Sequence, residues 1–342
     1  MSRFPVSSGW KVTLETPDDL FSYQLYKIIK MEKLTVIGCG TMGHSIALSA
    51  AWKGIPVKMY GVSRADTERG KMNIAGKIER LSQNGLLKEG EPEQIKHRIK
   101  TTTSIDAAVG GSSFIIETIP ENIDLKKRLF RNLDSICGRD VILASNTSGL
   151  SPSMLASVTA FPERVVVTHF WNPAHLIPLV EVVRGKMTAD DTVKRTMELL
   201  RMMKKKPIEV KKEIPGFVAN RLQFALFREA QFLLEKGIAS KEDIDAATIY
   251  SIGRRLSVTG PLVSADMGGL DVFASISDYL FGELCKADHC LPTLKELVKN
   301  NKLGCKTGEG YYIWDPSFSE KMNNKREIEL IRFLQQYDEP SR

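Results

Sequence analysis

Short apolar runs and longer mixed segments alternate along residues 33 to about 210. Runs at 34–38, 56–60, 113–118, 141–145, 164–168 and 207–210 read as buried strands, and the segments at about 42–53, 65–83, 123–136 and 189–204 read as helices. Start signals support two further assignments. Ser151 followed by Pro152 fits an N-cap with proline at the first helical position, and Thr188 with Asp191 three residues on fits a capping box. Such alternation predicts a doubly wound, mostly parallel sheet with helices on its faces. The pattern changes after Glu213-Ile214-Pro215-Gly216. A long apolar helix is predicted from near Phe217 to Gly237, with Val218, Leu222, Leu226, Ala230 and Leu233 on one face. Ser240 to Asp243 marks another helix start, Gly310 to Trp314 gives the next strand pattern, and one more helix is expected near 325–336.

The strand at 34–38 runs directly into Gly38-Cys39-Gly40-Thr41-Met42-Gly43, and the apolar helix that follows completes a strand–turn–helix unit. Each glycine of this G-x-G-x-x-G spacing has a separate reason. Gly38 permits the tight turn, Gly40 lets a pyrophosphate approach the backbone, and Gly43 lets the helix lie close to the strand. Thr41 and Met42 open the helix, whose N-terminal N–H groups and dipole favour a phosphate. Dinucleotide binding follows. An acid normally ends the second strand of such a fold and reads the adenosine ribose, but here that place is held by Gly61, with Ser63 and Arg64 after it. NAD is the expected cofactor. NADP stays open because a missing acid beside Arg64 is the pattern that tolerates a 2′-phosphate; alternatively Asp66 or a backbone group takes the ribose. An aspartate introduced at position 61 is expected to raise the preference for NAD.

The fold class is therefore α/β, an N-terminal Rossmann-type, mostly parallel sheet domain plus an all-helical C-terminal domain. The expected boundaries are 1–30 for an N-terminal extension, 31–213 for the dinucleotide-binding domain, 214–315 for a separate helical domain, and 316–342 for a C-terminal tail. The extension holds a possible helix start at Thr16 and Pro17 and lacks the apolar core of a signal peptide, and Met31 reads as its junction. Five cysteines without a C-x-x-C pair argue for a reducing compartment, hence the cytoplasm, and against a zinc site or other metal. No apolar run approaches the roughly 20 residues of a membrane span. The net charge of +7 is concentrated in part at Lys204–Lys206, Lys211 and Lys212, read as solvated element ends whose field would also draw in an anionic ligand. No basic patch interleaved with aromatic residues points to nucleic acid.

Four segments bring polar groups to the carboxyl edge of the predicted sheet, where ligands of open α/β folds bind. They are Ile116 to Asn122, Ala144 to Ser148, Thr168 to Pro173, and Leu179 to Val183. His169 just after an apolar strand, with Glu181 on the next strand-like run, is a plausible base with its orienting carboxylate; alone, His169 is equally readable as structural. His175 reads as a loop residue, His44 as packed within the first helical turn, and Cys39 as a small residue filling the glycine turn.

Together with Ile214 to Arg221 and Gly304 to Tyr312, these motifs, in order and at closely similar spacing over residues 33 to 315, resemble the 3-hydroxyacyl-CoA dehydrogenase family. The resemblance implies reversible oxidation of an L-3-hydroxyacyl-CoA to the 3-oxoacyl-CoA, with hydride passing to the nicotinamide. It implies that His169 takes the hydroxyl proton, Glu181 orients and stabilises the imidazole, Ser148 contacts the substrate oxygen, and Asn220 reaches the same region from the helical domain. Glu121 and Lys126 match cofactor-side positions. Asn146 ends a strand beside them, and Asn172 matches a position near nicotinamide and substrate. A homodimer through the helical domain is also implied, with an acyl-CoA or another small hydroxy acid as the bound partner and neither nucleic acid nor membrane. Relatives acting on carnitine or sugar acids share much of the pattern, and Arg254 and Arg255 would suit a free carboxylate. A catalytically idle, crystallin-like binding protein is the alternative of a different class.

Overall fold

The computed structural model describes residues 32–338. The expected N-terminal extension, its helix start at Thr16 and Pro17 and the junction at Met31 lie outside the described residues, as do positions 339–342 of the tail. The chain divides into two compact units, one running to Val218 and resuming at Ile328, the other Ala219–Glu327.

In chain order the first unit contains β1 (Leu34–Ile37), α1 (Thr41–Trp52), β2 (Val57–Tyr60), α2 (Arg64–Gln83), α3 (Glu91–Arg98), β3 (Ile99–Thr102), α4 (Ile105–Val109), β4 (Phe114–Glu117), α5 (Ile123–Ile136), β5 (Ile142–Ser145), α6 (Pro152–Ala156), β6 (Val165–Phe170), β7 (Leu179–Arg184), α7 (Asp190–Met202) and β8 (Lys206–Val210). The eight strands form one sheet in the order β3-β2-β1-β4-β5-β6-β7-β8. Every neighbouring pair is parallel except β6 with β7, which run antiparallel. The expected mostly parallel α/β sheet is therefore present. Its strand order reverses between β1 and β4, which places a ligand crevice at the carboxyl ends of those two strands.

Strands β1, β4, β5 and β6 are buried along their whole length, as strands covered on both faces must be. Alternate side chains leave opposite faces of the pleat. Leu34, Val36, Phe114 and Ile116 join Ile46, Ala47 and Ala50 of α1 in one apolar cluster. Ile37, Ile115, Leu143 and Val165 join Phe130 and Leu133 of α5 in the other. Each such side chain contributes roughly 1.5–3 kcal/mol by leaving water.

The second unit is helical: α8 (Ala219–Glu235), α9 (Lys241–Tyr250), α10 (Ile252–Leu256), α11 (Pro261–Gly268), α12 (Leu270–Leu280) and α13 (Pro292–Lys299). The long helix α8 begins two residues later than predicted. Phe217 stands at φ 50°, which ends regular structure before the helix, and its side chain is buried against Val167, Val183 and Val210 of the first unit. The Ser240 cap forms as expected, accepting from the N–H of Asp243 at 3.1 Å. Gly310–Trp314 is not a strand: isolated bridges pair Gly304 with Glu309 and Glu309 with Ile313, giving a compact turn. The last helix, α14 (Pro316–Asp338), is longer than the pattern at 325–336 suggested, and Ile331 and Leu334 enter the first unit's core.

Other expectations are corrected by tertiary contacts. The strand β3 and helices α3 and α4 were not predicted; β3 reads Ile-Lys-Thr-Thr and is half exposed, so it carries no apolar run. Thr188 does not cap α7. Its hydroxyl donates to the carbonyl of Val165 at 2.7 Å and accepts from the N–H of Gly185 at 2.8 Å, which leaves Ala189 at the N-cap. Within the lysine cluster, Lys205 is buried and not solvated. Its ammonium donates to the carbonyls of Ala174 and Ile177, and burial pulls its pKa down to about 7.

His175 lies in the loop between β6 and β7, as expected, but it is buried. Its Nδ1 lies 2.9 Å from the hydroxyl of Ser45, and among the described residues its Nε2 has no hydrogen-bond partner. Burial, reinforced by the nearby charges of Lys77 and Lys205, pushes its pKa down to about 3, and burial lowers that of His44 as well. A histidine that charges near 6.5 when unfolded and near 3 when folded binds its proton more readily in the unfolded chain, so stability falls as pH drops through that window. Between pH 7 and pH 5 this one group removes up to about 2 kcal/mol. Urea denaturation at the two pH values is expected to show that loss in the parent and a smaller one in His175→Asn; equal losses would detach the acid sensitivity from His175.

Candidate active site

The glycine turn is shaped by its neighbours. Gly38 has φ 112°, and a Cβ there would stand 2.7 Å from Thr118 Oγ1, just beyond the end of β4. A Cβ on Gly43 would meet the carbonyl oxygen of Gly38 at 2.0 Å, so α1 can sit this close only without a side chain. Gly40 differs: nothing lies within 4 Å of the place a Cβ would take, and as N-cap of α1 it makes no side-chain capping bond. Open space directly over a helix N-terminus, where Thr41, Met42 and Gly43 form the first turn, fits a dinucleotide pyrophosphate. Cys39 is buried within the turn, and burial first, then the Asp66 carboxylate, pushes its thiol up to about 11. It stays protonated at neutral pH, consistent with a filler.

The end of β2 leaves no room for the usual acid. A Cβ at Gly61 would meet the Thr67 methyl at 2.7 Å, Cys39 Sγ at 2.9 Å and an oxygen of Asp66 at 3.0 Å. An aspartate introduced at position 61 would therefore disturb the turn before it could touch a ribose. Arg64 is exposed as the first residue of α2.

At the carboxyl end of β4, Glu117 is fully buried. Its carboxylate accepts from Lys126 Nζ at 2.6 Å, the Ser145 hydroxyl at 2.6 Å and the N–H of Ile119 at 2.7 Å. Burial raises its pKa, opposed by Lys126. Lys126 is itself buried and lies 3.4 Å from Glu121, so its ammonium is enclosed by protein groups. Glu121 also accepts from the Thr147 hydroxyl and from the N–H of Ser148 at 3.1 Å, with Ser148 Oγ at 3.5 Å. Glu121, Lys126 and Ser148 are thus brought together. The helix cap nearby comes from Ser151, which accepts from the N–H of Met154 at 3.2 Å. Glu117 was not singled out from the sequence; an acid closing an apolar strand was its one visible sign.

The histidine–carboxylate pair arises from the antiparallel exception in the sheet. His169 and Glu181 are directly opposed in the β6–β7 register, so their side chains share a face. His169 Nδ1 lies 2.8 Å from Glu181 Oε2. Glu181 is fully buried, and its other oxygen accepts from the N–H of Val218 at 2.9 Å, while Trp171 Nε1 lies 3.5 Å from Oε2. The Trp171 ring lies 5.5 Å from the imidazole and the Phe217 ring 5.7 Å from it, both tilted. With Nδ1 held by a carboxylate, Nε2 is the nitrogen available for proton exchange. Asn146 ties this strand end to the cofactor edge, its Oδ1 accepting from the N–H of Phe170 at 2.9 Å. Asn172 precedes Pro173 through a cis peptide bond. Asn220 belongs to the second unit, in the first turn of α8. Among the described residues no cluster of three or more His, Cys, Asp or Glu could hold a metal, and no helix is long and apolar enough to cross a membrane.

Two family models match. Residues 33–214 match the NAD binding domain of 3-hydroxyacyl-CoA dehydrogenase, and residues 216–314 match the C-terminal domain of the same family. The chain is 36% identical over 301 residues to a 5-formyl-3-hydroxy-2-methylpyridine 4-carboxylate 5-dehydrogenase of Mesorhizobium japonicum, covering 88% of this chain and 96% of that one. It is 35% identical over 293 residues to a probable 3-hydroxybutyryl-CoA dehydrogenase of Bacillus subtilis, covering 85% and 100%. A solved structure of a 5-formyl-3-hydroxy-2-methylpyridine 4-carboxylic acid 5-dehydrogenase, an NAD+ dependent dismutase, superposes with a TM-score of 0.84 at 34% identity, covering 91% of this chain and all of the other. The open space over Gly40 and the close fits at Gly38 and Gly43 agree with that assignment: the chain belongs to the 3-hydroxyacyl-CoA dehydrogenase family and is an NAD-dependent oxidoreductase of that type.

Proposed function

We propose that this protein interconverts an L-3-hydroxyacyl-CoA and its 3-oxoacyl-CoA, with His169 as the base and Glu181 as its orienting carboxylate. The observation that carries the reading is the 2.8 Å contact between His169 Nδ1 and Glu181 Oε2. The nicotinamide, when bound, exchanges the hydride with C3 of the substrate. His169 Nε2 takes the hydroxyl proton as the carbon–hydrogen bond breaks, and the imidazolium then faces a carboxylate. Glu181 suits that role because it is buried, held by the N–H of Val218, and lies within hydrogen-bond distance of the imidazole. Ser148 supplies a hydroxyl to the substrate oxygen, and Asn220 is the second unit's proposed substrate-contacting amide. Asn172 would help hold the nicotinamide of a bound dinucleotide. Lys126 acts by holding Glu121, which in turn fixes the Ser148 backbone at the cofactor edge. In this reading residues 31–213 form the dinucleotide-binding domain and 214–315 the substrate and dimerisation domain.

One observation favours a second substrate class. The 36% identity to a dehydrogenase of a pyridine carboxylate joins the exposed pair Arg254 and Arg255 on α10, which would suit a hydroxy acid that carries a free carboxylate and no coenzyme A. Initial rates with acetoacetyl-CoA, carnitine, gulonate and a formylpyridine carboxylate separate the two. Turnover of acetoacetyl-CoA is expected; turnover confined to a free acid would replace the proposed substrate class.

His169→Ala is expected to lower kcat by roughly 10²–10⁴, the usual worth of a general base, while NADH affinity stays unchanged. Turnover like that of the parent would remove His169 from the chemistry. Glu181→Gln is expected to lower kcat as well, by leaving the imidazolium without its counter-charge.

We also propose a homodimer through the helical unit. Among the described residues of that unit, Ile244 and Cys285 are the only buried apolar side chains. Leu222 and Phe224 of α8, Leu262 and Met267 of α11, and Phe273 and Ile276 of α12 are all exposed. So much uncovered apolar surface fits an isologous contact between two copies. Light scattering is expected to give twice the mass of the 342-residue chain and a shift toward the monomer in Leu262→Glu; a monomeric parent would end this reading.

A further inference from the structure

The crowding at Gly61 has a second side. The oxygen that would stand 3.0 Å from a Cβ there belongs to Asp66, so a carboxylate already occupies the end of β2 although no acid stands on the strand. It is delivered by α2. Ser63 caps the helix and accepts from the N–H of Asp66 at 3.1 Å, which fixes the first turn. Asp66 Oδ2 then accepts from the N–H of Val62 at 3.3 Å, and Oδ1 is bonded to Arg69. The Asp66 side chain retains 14% exposure. Its charge is felt inside the glycine turn, where it is the second cause, after burial, of the raised Cys39 thiol pKa.

We propose that Asp66 reads the adenosine ribose in place of the absent strand-end acid and makes this protein selective for NAD over NADP. A carboxylate offers about four lone-pair positions, and the Val62 and Arg69 contacts take two. The remainder accept the two ribose hydroxyls. A 2′-phosphate at the same place meets a like charge. Arg69 is paired with Asp66, which leaves exposed Arg64 as the one cation of the first turn of α2, and a Cβ-sized group at Gly61 already meets Thr67 and Cys39. The same packing explains why the acid comes from the helix: the space above the strand end is filled by the Cys39 sulfur and the Thr67 methyl.

The test is direct binding, which does not depend on His169 or on the substrate. NADH and NADPH are titrated against the full-length protein, with nucleotide fluorescence as the readout. The parent is expected to bind NADH at least about tenfold more tightly, the scale of a charge-assisted hydrogen bond. In Asp66→Asn and Asp66→Ser the NADH Kd is expected to rise about tenfold while the NADPH Kd stays the same or falls. A parent that binds NADPH as tightly as NADH overturns the proposal outright. So does a preference that survives in either variant. Equal weakening of both nucleotides, with a lowered Tm, would reduce Asp66 to a capping residue of α2.

Discussion

One antiparallel pair in an otherwise parallel sheet sets the geometry on which the proposed chemistry rests. Parallel neighbours would have placed Glu181 wherever a crossover returned the chain. Reversal of β7 against β6 fixes it opposite His169, in a cross-strand position from which two short side chains meet. The carboxylate is held from two further directions, by the backbone N–H of Val218 and by the indole of Trp171. Phe217 closes the imidazole on one side while anchoring itself among Val167, Val183 and Val210. Strand register, a buried acid and one aromatic anchor thus fix the position of the imidazole.

A second anchor lies at the ends of β4 and β5. Lys126 is enclosed by Glu117, Glu121 and the carbonyl of Ile119, and Glu117 is bonded in turn to Ser145. Removing one member of such a buried set leaves an uncompensated charge, which is far more costly than losing an exposed pair. The network therefore makes the strand ends behave as one piece. Asn146 extends it to the backbone of Phe170, so the cofactor edge and the histidine strand are mechanically connected through a short chain of hydrogen bonds.

Much of this was legible in the sequence because it is local. Leu34 to Gly43 carries its own strand, turn and helix start; Gly38 and Gly43 meet a neighbour within a few residues or at the adjoining strand end, while Gly40 stays open. His169 and Glu181 could be paired because one follows an apolar strand and the other lies on the next strand-like run, within an ordered set of motifs that resembles the family. What could not be read depends on residues far apart in the chain. The crowding of Gly61 needs Cys39 and Thr67 to converge; the burial of Lys205 needs the carbonyls of Ala174 and Ile177; that of His175 needs Ser45. Strand β3 was missed for another reason: as an edge strand reading Ile-Lys-Thr-Thr, it is specified by pairing with β2 rather than by its own hydrophobicity. The Thr188 motif failed because its hydroxyl found a better acceptor across the fold, on Val165.

The buried amine at position 205 changes the electrostatics of the whole molecule. Counting lysines and arginines against acids gives +7, but a group that loses its proton near pH 7 in the native state and near 10.5 in the unfolded one should not be counted in full. Near and above neutrality this one nitrogen therefore carries less charge in the folded chain than in the denatured one.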